Sequence, residues 1–190
     1  MKTKKYTITG VGAGLLMHAD TLVDVTHPIA KAMREISKKS AKSKTDADHE
    51  EMKRLDFIGS LYHDDEIGPF IPAVNVEAML RDAAKGQRLG KEFTRSVMVN
   101  EDKLRLEYKG PRDKKGLWEK GFHYTKTVKV STSRVLRTRA WFEHWSLSFT
   151  VTFDEDHVNP DMMDWAVGTA GSRIGLSDWR PRFGRFEVTA

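Results

Sequence analysis

From Trp145 to Phe153 apolar and polar residues alternate without a break, Trp145, Leu147, Phe149, Val151 and Phe153 against Ser146, Ser148, Thr150 and Thr152. A period of two is what a strand with one buried and one wet face requires. Val128 and Val130 alternate in the same way, Lys5 to Thr9 reads as a first strand by its Tyr, Thr and Ile content, and Phe93 to Val99 and Lys103 to Tyr108 are strand-like. Helical spacing separates these runs. Pro28 suits the first position of a helix that carries Ile29, Met33 and Ile36 on one face. Thr45 caps a second helix, with Asp46 and Asp48 in its first turn and Met52, Leu55, Ile58 and Leu61 at helical spacing. Gly68, Pro69 and Pro72 forbid helix, after which Asn75 can cap a third, striped by Val76, Met79, Leu80 and Ala83 and stopped at Gly86. Asn159-Pro160-Asp161 starts the last helix, with Met162, Met163, Ala166, Val167 and Ala170 apolar. Lys109 to Gly121 reads as a loop from its Gly, Pro and charge content.

The order is strand, excursion, helix, a run of strands, helix, glycine-rich loop, last strand. It predicts an α+β, ferredoxin-like (RRM-like) β-α-β-β-α-β core in one domain of 190 residues. A helical insertion at about residues 26–66 follows the first strand, and an extended β-hairpin elaborates the middle. Within the insertion, the chain after Ile36 loses its apolar residues and reads as a mobile basic segment.

Composition removes several classes of function. With no cysteine there are no disulfides, thiolate zinc sites or cysteine nucleophiles, which fits a reducing, cytoplasmic setting. No apolar run approaches about 20 residues, so neither a membrane span nor a signal peptide is expected. The GxGxG of Gly10, Gly12 and Gly14 lacks the helix and the later acidic residue of a dinucleotide loop. There is no P-loop, HExxH or GxSxG.

A net charge of +5 makes a polyanionic partner plausible, and the cations are grouped. Between Gly168 and Val188, Gly171, Gly175 and Gly184 are interspersed with Arg173, Arg180, Arg182 and Arg185. Glycines permit close backbone approach and arginine forks match phosphate oxygens, so this stretch describes an anion-binding loop; tight turns with solvated charge would look the same. A second group, Arg81, Lys85 and Arg88, ends the third helix, and a third, Lys38, Lys39 and Lys42, lies in the insertion. A fourth, Arg134, Arg137 and Arg139, adjoins Trp141 and Phe142, a mixture that suits single-stranded nucleic acid unless the rings are core. His18, Asp20 and Asp24 could hold a metal, act as acid and base, or form a polar loop. His123, His144 and His157 are too irregularly placed to read as ligands.

The pieces GVGAGLLMH (10–18), VDVTHPIAK (23–31), FIPAVNVEAMLR (70–81) and GSRIGLSDWRPRFGRFEV (171–188) resemble the RAMP superfamily, the RNA-binding proteins of CRISPR systems. They are most like the repeated backbone subunits that coat the guide RNA. Two departures are AVN where the family often has Gly-Ser-Ser and the size of the excursion after the first strand. The resemblance implies a subunit that binds a single-stranded guide RNA, presents it for pairing to a complementary target RNA or DNA, and joins copies of itself head to tail in a filament. In some members an aspartate in the loop after the first strand promotes target cleavage with a divalent ion, and Asp24 occupies a comparable place. One carboxylate without a visible partner leads to the expectation of binding without cleavage, with no cofactor and with magnesium only if RNA is cut. A metal-dependent ribonuclease and a self-assembling phage structural protein are the competing classes.

Overall fold

The computed structural model describes residues 1–189. In chain order the strands and helices are β1 (Lys2–Gly10), β2 (Leu15–Leu16), α1 (Pro28–Lys38), α2 (Asp46–Ser60), β3 (His63–Asp64), β4 (Gly68–Pro72), α3 (Ala73–Ala84), α4 (Gly90–Ser96) and β5 (Val97–Val99). Then come β6 (Lys103–Glu107), α5 (Lys114–Glu119), β7 (His123–Val130), β8 (Ser133–Phe142), β9 (Ser146–Phe153), α6 (Pro160–Thr169) and β10 (Phe186–Thr189). The chain forms two compact units: unit 1 takes Met1–Leu15, Asp64–Lys109 and the chain from Phe142 onward, and unit 2 takes Leu16–His63 and Gly110–Trp141.

Unit 1 is the ferredoxin-like part. Its sheet contains the order β10-β1-β9-β6, in which β1 runs antiparallel to both β9 and β10, and β9 antiparallel to β6. With α3 before β6 and α6 between β9 and β10, that is the strand order of a β-α-β-β-α-β core, extended beyond β6 by β4 and β3. The alternation that marks β9 in the sequence is its burial pattern: Leu147, Phe149, Val151 and Phe153 are each fully buried. They pack in a core with Ile8 and Leu106 and the helical Val76, Met79, Leu80, Met163 and Val167, all with no exposed surface.

Unit 2 joins the excursion after β1 to a second one between β6 and β9. Its sheet has the order β2-β8-β7, and the β7–β8 hairpin pairs in register from His123↔Ala140 to Val130↔Ser133 across a two-residue turn. Ser131 in that turn takes the left-handed conformation that such turns require. Helix α2 starts as its sequence predicts, through a capping box in which Thr45 and Asp48 each satisfy the other's backbone N–H. Leu55, Phe57 and Leu61 pack into a core with Met17, Leu117 and Ala140.

Five local expectations are corrected. Helix α3 begins at Ala73 rather than after an Asn75 cap, because β4 pairs with β6 up to Pro72↔Lys103 and the Ala73 N–H donates to the Asp102 carbonyl at 3.0 Å. A tertiary acceptor replaces the side-chain cap. The left-handed stop is Arg88, not Gly86: a 3₁₀ turn over Lys85–Gln87 intervenes, and Leu89 N–H returns to the Ala84 carbonyl at 3.0 Å. Only Val97–Val99 of the strand-like 93–99 run is strand; its first part is the end of α4, where Phe93 is buried at 2 % exposure. The loop expected over 109–121 contains α5, capped by Asp113, whose carboxylate accepts from Gly116 N–H at 2.7 Å, with Leu117 fully buried. The segment after Ile36 continues helically to Lys38 and closes onto α2 through a hydrogen-bonded turn, Ser43 and Lys44 N–H both donating to Ser40 carbonyl.

Candidate functional site

The Gly168–Val188 stretch leaves α6 through a wide turn at Ala170–Ile174 and returns as β10. Its glycines do permit close approach, but to the protein's own backbone. A Cβ on Gly171 would lie 2.2 Å from the Phe186 carbonyl oxygen, and one on Gly184, at φ +74°, 1.9 Å from that of Leu176. The N–H groups of Gly175 and Gly184 donate to the carbonyls of Ala170 and Gly14, each at 2.8 Å. Arg185 is spent on the same task, its Nε donating to Pro181 carbonyl at 2.8 Å and a terminal nitrogen to Ser172 carbonyl at 2.6 Å. The loop is therefore a braced scaffold, and what it offers outward is Arg173, Arg180 and Arg182, all exposed.

One of these meets the second basic group. Helix α3 ends with Arg81 and Asp82, and the Asp82 carboxylate accepts from Lys85 at 2.7 Å and from Arg180 at 3.4 Å, with Arg81 at 3.8 Å. Three cations thus share one carboxylate. Partial burial pushes the Asp82 carboxyl up, and the opposing pull of the Lys85 hydrogen bond with the charges of Lys85, Arg180 and Arg81 carries it below its ordinary value. Arg173 lines the same surface, which opens into two concavities of about 590 and 530 Å³ that share Asp82, Arg173 and Ile174. Trp165 lines the first and Trp179 the second. Arg88 and Arg182 stay outside this ion-pair set, exposed and without an ion pair among the described residues.

Unit 2 holds the remaining candidates. Arg139 is buried at 7 % exposure and donates to the Asp56 carboxylate at 3.1 Å, whose other oxygen accepts the Thr138 N–H at 2.6 Å. Burial and pairing take this arginine off the surface, a correction to its reading beside Arg134 and Arg137. Those two line a cleft of about 830 Å³ between β8 and helices α1 and α2. Lys38 pairs with Glu35 and Lys39 with Asp48, while Lys42 is exposed with no ion pair among the described residues. Trp141 is half-buried, and Phe142, which falls in unit 1, is fully buried.

Asp24 lies at the surface in a turn before α1, its carboxylate accepting from Thr26 N–H at 2.8 Å and Thr26 Oγ1 at 2.7 Å. The Thr26 hydroxyl first, then its N–H and the nearby His27, hold this carboxyl below its usual range. His18 Nε2 stands 3.3 Å from Arg139. Among the described residues no group of three or more His, Asp or Glu is placed to hold a metal ion, so the structure does not gather His18, Asp20 and Asp24 into one. Nor, among the described residues, is any helix long and apolar enough to cross a membrane.

Sequence reasoning missed Asp82, Trp165 and Trp179. Their signals were present: Asp82 is a lone acid inside a basic run, and Trp165 falls off the apolar stripe of α6. No protein-family model matches the chain, and no curated protein matches it. Among solved structures it is similar to a chain in the cryo-EM structure of the Type III-B Cmr-beta bound to cognate target RNA. The TM-score is 0.45 at 12% identity, and the match covers 98% of this chain and 60% of that one. A likeness this distant carries no argument about chemistry.

Proposed function

We propose that this chain is a single-stranded-RNA-binding subunit that grips the RNA backbone through the end of α3 and the C-terminal arginine loop of unit 1. The observation that carries the reading is the convergence on Asp82. Arg81, Lys85 and Arg180 share one carboxylate, Arg173 lines the same surface, and Trp165 and Trp179 line its two concavities. Surplus positive charge neutralises phosphates, and indoles supply stacking surface that tolerates any base, the combination used for single strands. Unit 2 carries cations of its own, Arg134 and Lys42 exposed and Arg137 half-buried, with Lys38 and Lys39 recruitable because surface ion pairs are weak.

The finer reading is a guide-coating subunit. Copies contact one another head to tail along the RNA, hold the guide for pairing to a target, and do not themselves cut it, Asp24 being occupied by its own turn. RNA then sets the length of the assembly. Native mass spectrometry on a ladder of RNA lengths should show mass rising in whole-subunit steps. A complex that stays at one or two copies on the longest RNA rules out the filament, and failure to bind RNA at all rules out the reading. Magnesium-dependent cutting of a guide-matched RNA, abolished by Asp24→Asn, would replace it with a ribonuclease.

A further inference from the structure

Asp82 and Arg173 stand where the two concavities of unit 1 meet. The first is walled by Trp165, Thr169 and Ser172 and the second by Ser177, Asp178, Trp179 and Arg180, with the Asp178 carboxylate accepting the Trp179 backbone N–H at 3.0 Å. Both, about 590 and 530 Å³, are open to solvent rather than enclosed. Each compartment has one indole, Arg173 lies where the two meet, and Arg180 lines the second. Trp165 is half-buried with no ring contact or hydrogen bond among the described residues. Trp179 meets Phe183 edge-on at 6.1 Å and takes a φ of +50°, a backbone conformation that bulky residues rarely adopt. Ser177, at φ +69°, shares that conformation two residues earlier.

A single strand of nucleic acid repeats a flat base and a phosphate, so one step reads base, phosphate, base. The surface reads indole, arginine, indole in the same order, with Arg173 between Trp165 and Trp179. The cations already hold an anion: Asp82 keeps Lys85 at 2.7 Å and Arg180 at the looser 3.4 Å. A phosphate arriving between the compartments competes with that carboxylate, and the longer contact is the one it breaks first.

We propose that the two compartments bind one dinucleotide step, its bridging phosphate on Arg173 and Arg180 and its bases against Trp165 and Trp179, with Asp82 the carboxylate that the phosphate displaces from Arg180. The proposal rests on the RNA-binding reading and deepens it. Asp82 thereby limits affinity and keeps the arginine oriented when no ligand is present, so the site releases what it binds.

The test uses the full chain, a fluorescent oligouridylate as reporter, and two competitors, the dinucleotide pUpU and inorganic tripolyphosphate. Trp165→Leu and Trp179→Leu should each weaken competition by pUpU about tenfold and leave tripolyphosphate unchanged. Trp165→Phe, which keeps a ring, should retain affinity while removing part of the fluorescence quenching. Arg173→Ala should weaken both competitors, and Asp82→Asn should tighten both several-fold, with Asp82→Glu close to wild type as the control for folding. If the leucine variants compete like wild type while the long oligouridylate still binds, the dinucleotide site is wrong and RNA binding stands. If wild type does not bind the oligouridylate, the underlying reading falls instead. Unchanged or weaker binding by folded Asp82→Asn would overturn the role given to Asp82.

Discussion

Two aspartates, each on a helix, meet an arginine from far along the chain, and the two meetings differ in kind. Asp56 and Arg139, separated by 83 positions, form a closed pair with side chains 5 % and 9 % exposed, and both carboxylate oxygens of Asp56 are filled. Asp82 and Arg180, separated by 98, form an open one at 23 % and 33 %, in which the same carboxylate also serves Lys85 and Arg81. The closed pair balances one charge with one charge and has no capacity to exchange partners. The open cluster has more cations than its carboxylate can neutralise, so water and counterions make up the difference, and a phosphate can take their place. Sequence shows arginine in both places, and burial decides which arginine is structural.

The largest effect should come from breaking the closed pair. Asp56→Ala leaves the Arg139 guanidinium buried without its carboxylate and the Thr138 N–H without its acceptor, so denaturant unfolding should show a loss of about 3–5 kcal/mol. A loss under about 1 kcal/mol would mean that water reaches Arg139 and that the pair is not closed. Next in size is the scaffold of the open cluster. Gly184→Ala forces a Cβ against the Leu176 carbonyl in a left-handed conformation, for which we expect about 2–4 kcal/mol and a weaker hold on RNA together. If stability falls and RNA binding does not, the loop does not position the site.

Smaller still is the open cluster itself. Arg173→Ala and Arg180→Ala remove exposed groups, so stability should change by no more than about 0.5 kcal/mol. Each should lower the salt dependence of RNA binding by about 0.7 in logarithmic slope, the value for one phosphate contact on a single strand. Arg185→Ala sharpens the contrast, because this arginine braces two carbonyls and should lower the melting temperature where Arg173→Ala does not. Equal behaviour of the two variants in both assays would erase the distinction between scaffold and surface.

What the sequence made legible follows from which forces act locally. The β9 alternation, the Pro28 and Asn159-Pro160 helix starts and the Thr45–Asp48 capping box are local, and each appears where its residues place it. The start of α3 was misplaced because its cap is the Asp102 carbonyl, an acceptor brought in by the pairing of β4 with β6. Phe93 has a β-favouring side chain, yet it sits in α4 because burial there outweighs propensity. At the candidate site the arginines were legible as cations, but not their division of labour. Arg185 as brace, Arg139 as buried partner and Asp82 as hub depend on contacts across roughly 4 to 98 positions, which no periodicity encodes.

A third carboxylate provides the smallest effect and the finest test of the contrast. Asp48 is half-buried at the start of α2, its side chain 13 % exposed, and accepts from Lys39 at 2.6 Å and from the Thr45 N–H at 3.0 Å, so it is more open than Asp56 and, unlike Asp82, not shared among surplus cations. The Lys39 hydrogen bond first, then the Thr45 N–H, hold its carboxyl at about 2, down from 3.8. A carboxyl whose folded value is depressed contributes its full stabilisation above the unfolded value and loses it as pH falls towards the folded one. The contribution of Asp48 should therefore be constant from neutral pH down to about 4 and disappear between about 4 and 2. Carboxyl-carbon NMR titration of the wild type and of Lys39→Ala measures this directly. The variant should titrate higher than wild type but still below an ordinary aspartate, because the capping hydrogen bonds with Thr45 remain. A full return to the ordinary value would assign the whole shift to the ion pair and make the capping box electrostatically idle. No movement would mean that Lys39 is already free in solution, and hence available to RNA without displacing anything.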